Sequence, residues 1–179
     1  MYLDEQIITY LGNKRKLINL IISATNPKDK VCLDLFSGSG IVARAFKENQ
    51  CKKIITNDLE DYSKIINTCY LTNESDFPKD EYNYYYNLII NAKKIEGFIT
   101  KLYSPTNTND IKKGERCFYT HENAIILDTY LSVIHNNCPE NIKPFFLAPL
   151  MSEASIHANT SGVFKGFYKD INGIGQWGG

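Results

Sequence analysis

The chain has 179 residues, 43% of them apolar, and its 20 basic and 20 acidic side chains cancel. That length makes one domain, or one domain and a fragment of another, with enough apolar content for a sizeable core. The charge balance excludes a strong global field toward nucleic acid or an anionic membrane, though not a local contact. Cys32, Cys51, Cys69, Cys117 and Cys138 are widely spaced, with no C-x-x-C pair and no histidine grouping nearby. Neither a zinc site nor a disulfide framework is expected, only reduced core thiols. No charged-then-apolar leader opens the chain, and no apolar run approaches the roughly 18 residues of a membrane span, so a cytoplasmic protein with no membrane partner is expected.

Tyr2 to Tyr10 alternates loosely, and Leu11-Gly12-Asn13-Lys14-Arg15-Lys16 interrupts it with a turn and three cations. Leu17, Ile18, Leu20, Ile21 and Ile22 predict a core-packed helix that Asn26-Pro27 ends, because the residue before proline is pushed out of the helical region. Val31 to Phe36 reads as a buried parallel strand. Ser37-Gly38-Ser39-Gly40 turns it into a helix over 41–49, with Ile41, Val42, Ala45 and Phe46 inward. A second strand over 53–58 completes a β-α-β unit and ends on Asp58. Helices are predicted over 61–71, through the tyrosine-rich 81–103 stretch, from His121 to Asn137, and over 145–157 with an interruption at Pro149. Ser104 to Lys113 is a loop. The tail, Val163 to Lys169, alternates as a strand or ribbon.

The glycine turn decides the ligand class. A dinucleotide fingerprint is G-x-G-x-x-G, with the pyrophosphate on the helix N-terminus. Here the stretch reads D-x-F-x-G-x-G, with the bulky Phe36 two residues ahead of Gly38 and with Ala43 in place of the last glycine. A bulky ring suits an uncharged adenosine and methionine better than a diphosphate. Gly38 and Gly40 let backbone approach a ligand, and Asp34 at the strand end can hold an ammonium group directly or through water. Asp58, twenty residues after Gly38, stands where an acidic residue accepts from ribose hydroxyls. Together they point to S-adenosylmethionine.

Tyr10-Leu11-Gly12-Asn13-Lys14 ahead of a helix, then Asp34-Leu35-Phe36-Ser37-Gly38-Ser39-Gly40, then Asn57-Asp58, resembles the opening of the Dam-like adenine-N6 DNA methyltransferases. Gly114 to Thr120 and Ala158 to Tyr168 look like stretches of restriction-modification members of that group. The resemblance implies an α/β chain with a partial Rossmann-like, S-adenosylmethionine-dependent methyltransferase fold and a mainly helical C-terminal segment. It also implies that Tyr10 and Lys14 lie against the cofactor, that Asp34, Phe36, Ser37, Gly38 and Gly40 surround it, and that Asp58 meets its ribose. Residues 1–103 would be the cofactor-binding part, and 104–179 a target-recognition or connecting segment truncated at its end.

One element of that family is missing from the sequence. Its D/N-P-P-Y/F tetrapeptide takes hydrogen bonds from the target amine and stacks on the flipped base. The six prolines here are never adjacent, so no catalytic residue and no metal ligand is assigned. A split enzyme is expected, completed by a complementary C-terminal polypeptide and binding double-stranded DNA weakly or not at all by itself. Without the strand that carries the tetrapeptide, Val31 to Phe36 would be an open apolar edge, and the isolated chain would be poorly stable or associate with a partner. Alternatives are a catalytically inactive binding or regulatory subunit, an RNA or protein methyltransferase, and, disfavoured by Phe36, a nicotinamide enzyme. DNA contacts would fall to the 106–113 loop and the 165–169 ribbon, each with only two lysines.

Overall fold

The computed structural model describes Leu3, Ile8, Gly12 and residues 14–161 and 164–178. Tyr10, Asn13 and the greater part of the expected N-terminal alternation lie outside the described residues, as do Gly162 and Val163. Two compact units form, one from residues 1–78 with 144–152, the other from 79–143 with 153–179.

The first unit is a β-α-β arrangement. After a 3-10 turn over Arg15–Leu17 come α1 (Ile18–Thr25), β1 (Val31–Asp34), α2 (Ile41–Glu48), β2 (Lys53–Thr56) and α3 (Asp61–Leu71). The strands are parallel, with Cys32 opposite Ile54 and Leu33 opposite Ile55. Both are shorter than the predicted 31–36 and 53–58, because the chain leaves the ladder as soon as the glycine turn and the Asn57-Asp58 bend begin. Alternation sends Cys32 and Ile54 to one face, where they join Ile18, Ile41, Val42, Ala45 and Phe46 in the core.

The opposite face is open. Val31 is 60% exposed, Leu33 51%, Leu35 53%, Phe36 77% and Ile55 43%. The predicted buried strand is therefore buried on one side only, and among the described residues the outer edge of β1 has no partner. The reason is that α1 and α2 cover a single face. Likewise α1 is less enclosed than its composition implied, with Ile18 buried and Leu17 and Leu20 exposed. Ile66 of α3 packs on Ala148 of α7 (Lys143–Ile156), and Phe77 meets Phe145 edge-on at 5.1 Å. Pro149 does not interrupt α7. Its missing donor costs one helical bond, and the buried run Phe145, Phe146, Leu147 and Ala148 keeps the helix continuous.

In the second unit α4 (Lys79–Ile90) and α5 (Phe98–Tyr103) fold with α6 (His121–Asn137). Thr120 caps α6 by accepting from the Asn123 amide at 3.1 Å. The tie between α5 and α6 is Asp128. Its buried carboxylate accepts from the amides of Gly97, Ile99 and Thr100 at 2.9, 2.9 and 2.7 Å and from the Thr100 hydroxyl at 2.6 Å. Gly97 is required there, because a Cβ would stand 2.8 Å from the Asp128 carboxyl group. Burial pushes the Asp128 carboxyl up, but the bonds from Thr100, Ile99 and Gly97 outweigh it and hold it below its ordinary value. The tail over 164–178 is not a ribbon. It makes one antiparallel bridge, Lys169 to Gly175, and is otherwise anchored by Asn159, whose side-chain amide donates to the Cys117 and Gln176 carbonyls at 2.8 Å each.

Replacing Asp128 with Ala leaves the start of α5 without acceptors, so Asp128→Ala should destabilise the second unit by about 3 kcal/mol. Urea unfolding would measure this, and Asp128→Asn should restore part of the loss.

Candidate functional site at the glycine turn

The carboxyl ends of β1 and β2 meet at the turn. The Asn57 amide donates to the Asp34 carbonyl at 2.9 Å, the Asn57 side chain to the Leu35 carbonyl at 3.0 Å, and the Ser37 amide to the Asn57 carbonyl at 3.0 Å. Gly38 and Gly40 have φ of 47° and 73°, left-handed values that cost an L-residue with a side chain. Gly40 is fixed a second way, because a Cβ on it would stand 2.6 Å from Asn67 Oδ1.

Beneath the turn lies a buried polar cluster that sequence reasoning missed. Ser37 Oγ and Ser63 Oγ are 3.1 Å apart, and Asn67 Nδ2 donates to Ser37 Oγ at 3.2 Å and to the Ser63 carbonyl at 2.8 Å. A signal for it existed: Ser63 and Asn67 stand four apart on α3, beside the fully buried Ile66, which places polar groups where an apolar stripe was expected. Arg44, also unanticipated, is 2% exposed within the apolar face of α2, with its guanidinium 5.9 Å from the Tyr70 ring centre.

Asp58 ties the two strand ends together. Its Oδ2 accepts from the Gly38 amide at 2.7 Å and its Oδ1 from the Glu60 amide at 3.1 Å. The Gly38 bond, then the Glu60 bond, hold the carboxyl below its ordinary 3.8. Asp34 behaves oppositely. Burial pushes it above 3.8, against the pull of Lys14 and of the Ala43 and Phe36 amides. Its Oδ2 is buried with no hydrogen-bond partner among the described residues. Lys14 acts electrostatically on both carboxylates, which brings it to the same site as Asp34 and Asp58. Phe36 stands at the end of β1, largely in the open. A polar recess of about 280 Å³ borders the turn, lined by Ser37, Asn57, Asp58, Ser63, Lys64 and Thr68 among others. Of the residues expected around a ligand, the fold thus gathers Lys14, Asp34, Phe36, Ser37, Gly38, Gly40 and Asp58, while Tyr10 lies outside the described residues.

A glycine turn closing the first strand and a carboxylate closing the parallel second one give this unit the strand-end arrangement at which α/β proteins place their ligands. The model of the D12 class N6 adenine-specific DNA methyltransferases matches residues 10–170, and the chain belongs to that family. It is 30% identical over 178 residues to the type II methyltransferase M.NlaIII of Neisseria lactamica, an alignment covering 92% of this chain and 50% of that protein. It is 29% identical to the modification methylase LlaI of Lactococcus lactis subsp. lactis, covering 89% of this chain and 27% of the relative. For the modification methylase StsI of Streptococcus sanguinis the figures are 28%, 89% and 26%. The chain thus spans half or less of the length of these relatives. No solved structure gives a significant match.

The two carboxyls should titrate on opposite sides of 3.8. Because the folded value of Asp58 is depressed, its tie to Gly38 contributes stability above the unfolded value and is lost as pH falls through the folded one. In an NMR titration the Gly38 amide should shift with a midpoint below 3.8, and the Asp34 carboxyl carbon with one above it. Gly40→Ala, strained by its φ and by the Asn67 contact, should cost about 1–3 kcal/mol in denaturant unfolding.

Proposed function

We propose that this chain is the cofactor-binding half of a site-specific DNA adenine-N6 methyltransferase, with a partial Rossmann-like methyltransferase fold that holds S-adenosylmethionine at the Gly38–Gly40 turn. The observation that carries this reading is the buried Oδ2 of Asp34 beside the turn, without a hydrogen-bond partner among the described residues, in a site that also contains Asp58 and Lys14. The donor set fits the cofactor. Asp34 accepts from its ammonium group, Asp58 has lone pairs beyond those given to Gly38 and Glu60 for the ribose hydroxyls, and Lys14 faces its carboxylate. Gly38 and Gly40 leave room for the ligand, Phe36 lies against it from the strand end, and the resemblance to the Dam-like enzymes adds Tyr10 to the residues that would hold it. When bound, the cofactor supplies a sulfonium-activated methyl group.

In this reading residues 1–103 serve cofactor binding and 104–179 serve target recognition or connection. The sequence has no D/N-P-P-Y/F element to receive the target amine, so transfer to adenine requires a complementary polypeptide segment. The open edge of β1 and its uncovered apolar face, with Val31, Leu33, Leu35 and Ile55, are where that segment would add. Double-stranded DNA is the substrate of the completed enzyme, which works in the cytoplasm, and is bound weakly or not at all by this chain alone. The absence of the tetrapeptide also favours a second reading, a catalytically inactive subunit that retains the nucleotide-binding half.

Calorimetry with S-adenosylmethionine tests the site. Asp34→Asn should weaken binding at least about tenfold, as loss of a charge-assisted hydrogen bond does, while the thermal midpoint holds or rises because a buried, unpaired charge has been removed. An unchanged affinity in Asp34→Asn, or no heat from the unaltered chain, would reject the site. Methyl transfer to DNA should be absent for the chain alone and appear on adding a polypeptide bearing the tetrapeptide. Cofactor binding without any such rescue would favour the inactive subunit.

A further inference from the structure

The second unit carries an aromatic cluster for which the glycine-turn site has no use. Three segments that are distant in sequence bring their rings together: Phe98 and Tyr103 from α5, Phe118 and Tyr119 from the stretch before α6, and Phe164 and Phe167 from the tail. Phe118 is buried and forms the base. Phe164 stacks on it with ring centres 4.5 Å apart and planes at 19°, Phe167 meets it edge-on at 5.1 Å, and Tyr103 tilts against it at 5.7 Å. Phe98 extends the row, 5.8 Å from Tyr103.

Two features separate this cluster from an ordinary core. First, its outer rings are open, Phe164 being 51% and Phe98 65% exposed. A ring stacked on one side and exposed over half its surface offers a flat apolar face at little cost in conformational entropy. Second, the charges at its rim are cationic. The Arg116 guanidinium lies 5.5 Å from the Tyr103 ring centre and the Lys169 ammonium 5.0 Å from that of Phe167, with both side chains exposed. The carboxylates adjoining these cations in sequence are directed into local hydrogen bonds, Glu115 to Thr106 and the Lys112 amide and Asp170 to the Asn172 and Ile174 amides, so they keep their charge but pair with neither cation in the described bonds. The platform is also held in place, since the Asn159 amide donates to the Phe118 carbonyl at 2.7 Å, and the Trp177 indole to the Thr108 carbonyl at 3.0 Å.

An exposed ring with cations beside it matches a nucleobase attached to its phosphate, because the base offers a π-face to the ring and the phosphate a charge to the arginine or lysine. A base inside a duplex has both faces covered, so the occupant must be unstacked. We infer that Phe164 and Phe98, flanked by Arg116 and Lys169, form a stacking platform for an unstacked base of DNA, distinct from the cofactor site. The inference builds on the proposed action on DNA and names the surface through which the second unit takes part in it. Stacking on a local platform needs no global positive field, so the neutral net charge of the chain does not oppose it.

The test uses the full chain and a short single-stranded DNA containing 2-aminopurine, with the fully paired duplex as comparison. Binding should be tighter to the single strand and should quench the 2-aminopurine fluorescence. Phe164→Ala should lower affinity about tenfold, within the range for one lost stacking contact, and Phe164→Trp should retain it. Arg116→Gln should reduce the salt dependence of binding by about 0.7 in the logarithmic slope. The platform is overturned if the unaltered chain does not bind the single strand, if Phe164→Ala and Phe98→Ala both bind as it does, or if sedimentation shows that Phe164 instead mediates pairing of two copies of the chain. Calorimetry with S-adenosylmethionine on the same proteins keeps the two proposals apart. A silent cofactor titration rejects the glycine-turn site whatever DNA does, and unchanged DNA binding by the Phe164 and Phe98 variants rejects the platform whatever the cofactor does.

Discussion

The first unit depends on one carboxylate. By accepting the Gly38 amide at 2.7 Å, Asp58 fastens the end of β2 to the turn that ends β1. A two-stranded parallel sheet has little to resist shear between its strands, and this bond, with those from Ser37 to Asn57 and from Asn57 to Asp34, closes the ladder at its functional end. The left-handed glycines bring the turn close enough for the bond to form, and Asn67 fills the space that a side chain on Gly40 would need. The Asp34 carboxylate is then left partly desolvated, its Oδ2 without a hydrogen-bond partner among the described residues.

The sheet is covered on one face only. Apolar side chains on β1 and β2 that would lie inside a complete α/β domain are open to water, at a cost of roughly 25 cal/mol for each Å² left uncovered. This exposure agrees with the fraction of the curated relatives that the chain spans.

The second unit solves a different problem. Its helices are short, and α5 has only six residues, too few to be stable by itself. Asp128 supplies from α6 the acceptors that α5 lacks, so α5 is held by a tertiary cap rather than by its own sequence. The loops that follow are pinned by Asn159, and the aromatic rings gather where those loops converge. Rigid side chains at that convergence can be exposed without collapsing onto one another, because Phe164 is already packed on the buried Phe118 and Phe98 on Tyr103, which itself meets Phe118.

Much of the local structure could be read directly from the sequence. Asp61–Leu71 and His121–Asn137 form the helices their periodicity implied, and the D-x-F-x-G-x-G turn meets Asp58 at the next strand end as their spacing implied, since both signals are short-range and steric. Other features depend on contacts between distant segments. Burial of β1 on one face only, Ser63 and Asn67 under the turn, the Asp128 cap, the continuity of α7 through Pro149, and the irregular tail in place of a ribbon all follow from what the rest of the chain packs against each element. An apolar residue such as Leu33 or Phe164 has the same hydropathy buried or exposed. The sequence by itself determined which polar and glycine residues stand at the turn and at the strand ends, because that depends on residue type and turn geometry. The tertiary structure decided which of them converge and which apolar faces remain open, because those depend on which elements are present to cover them.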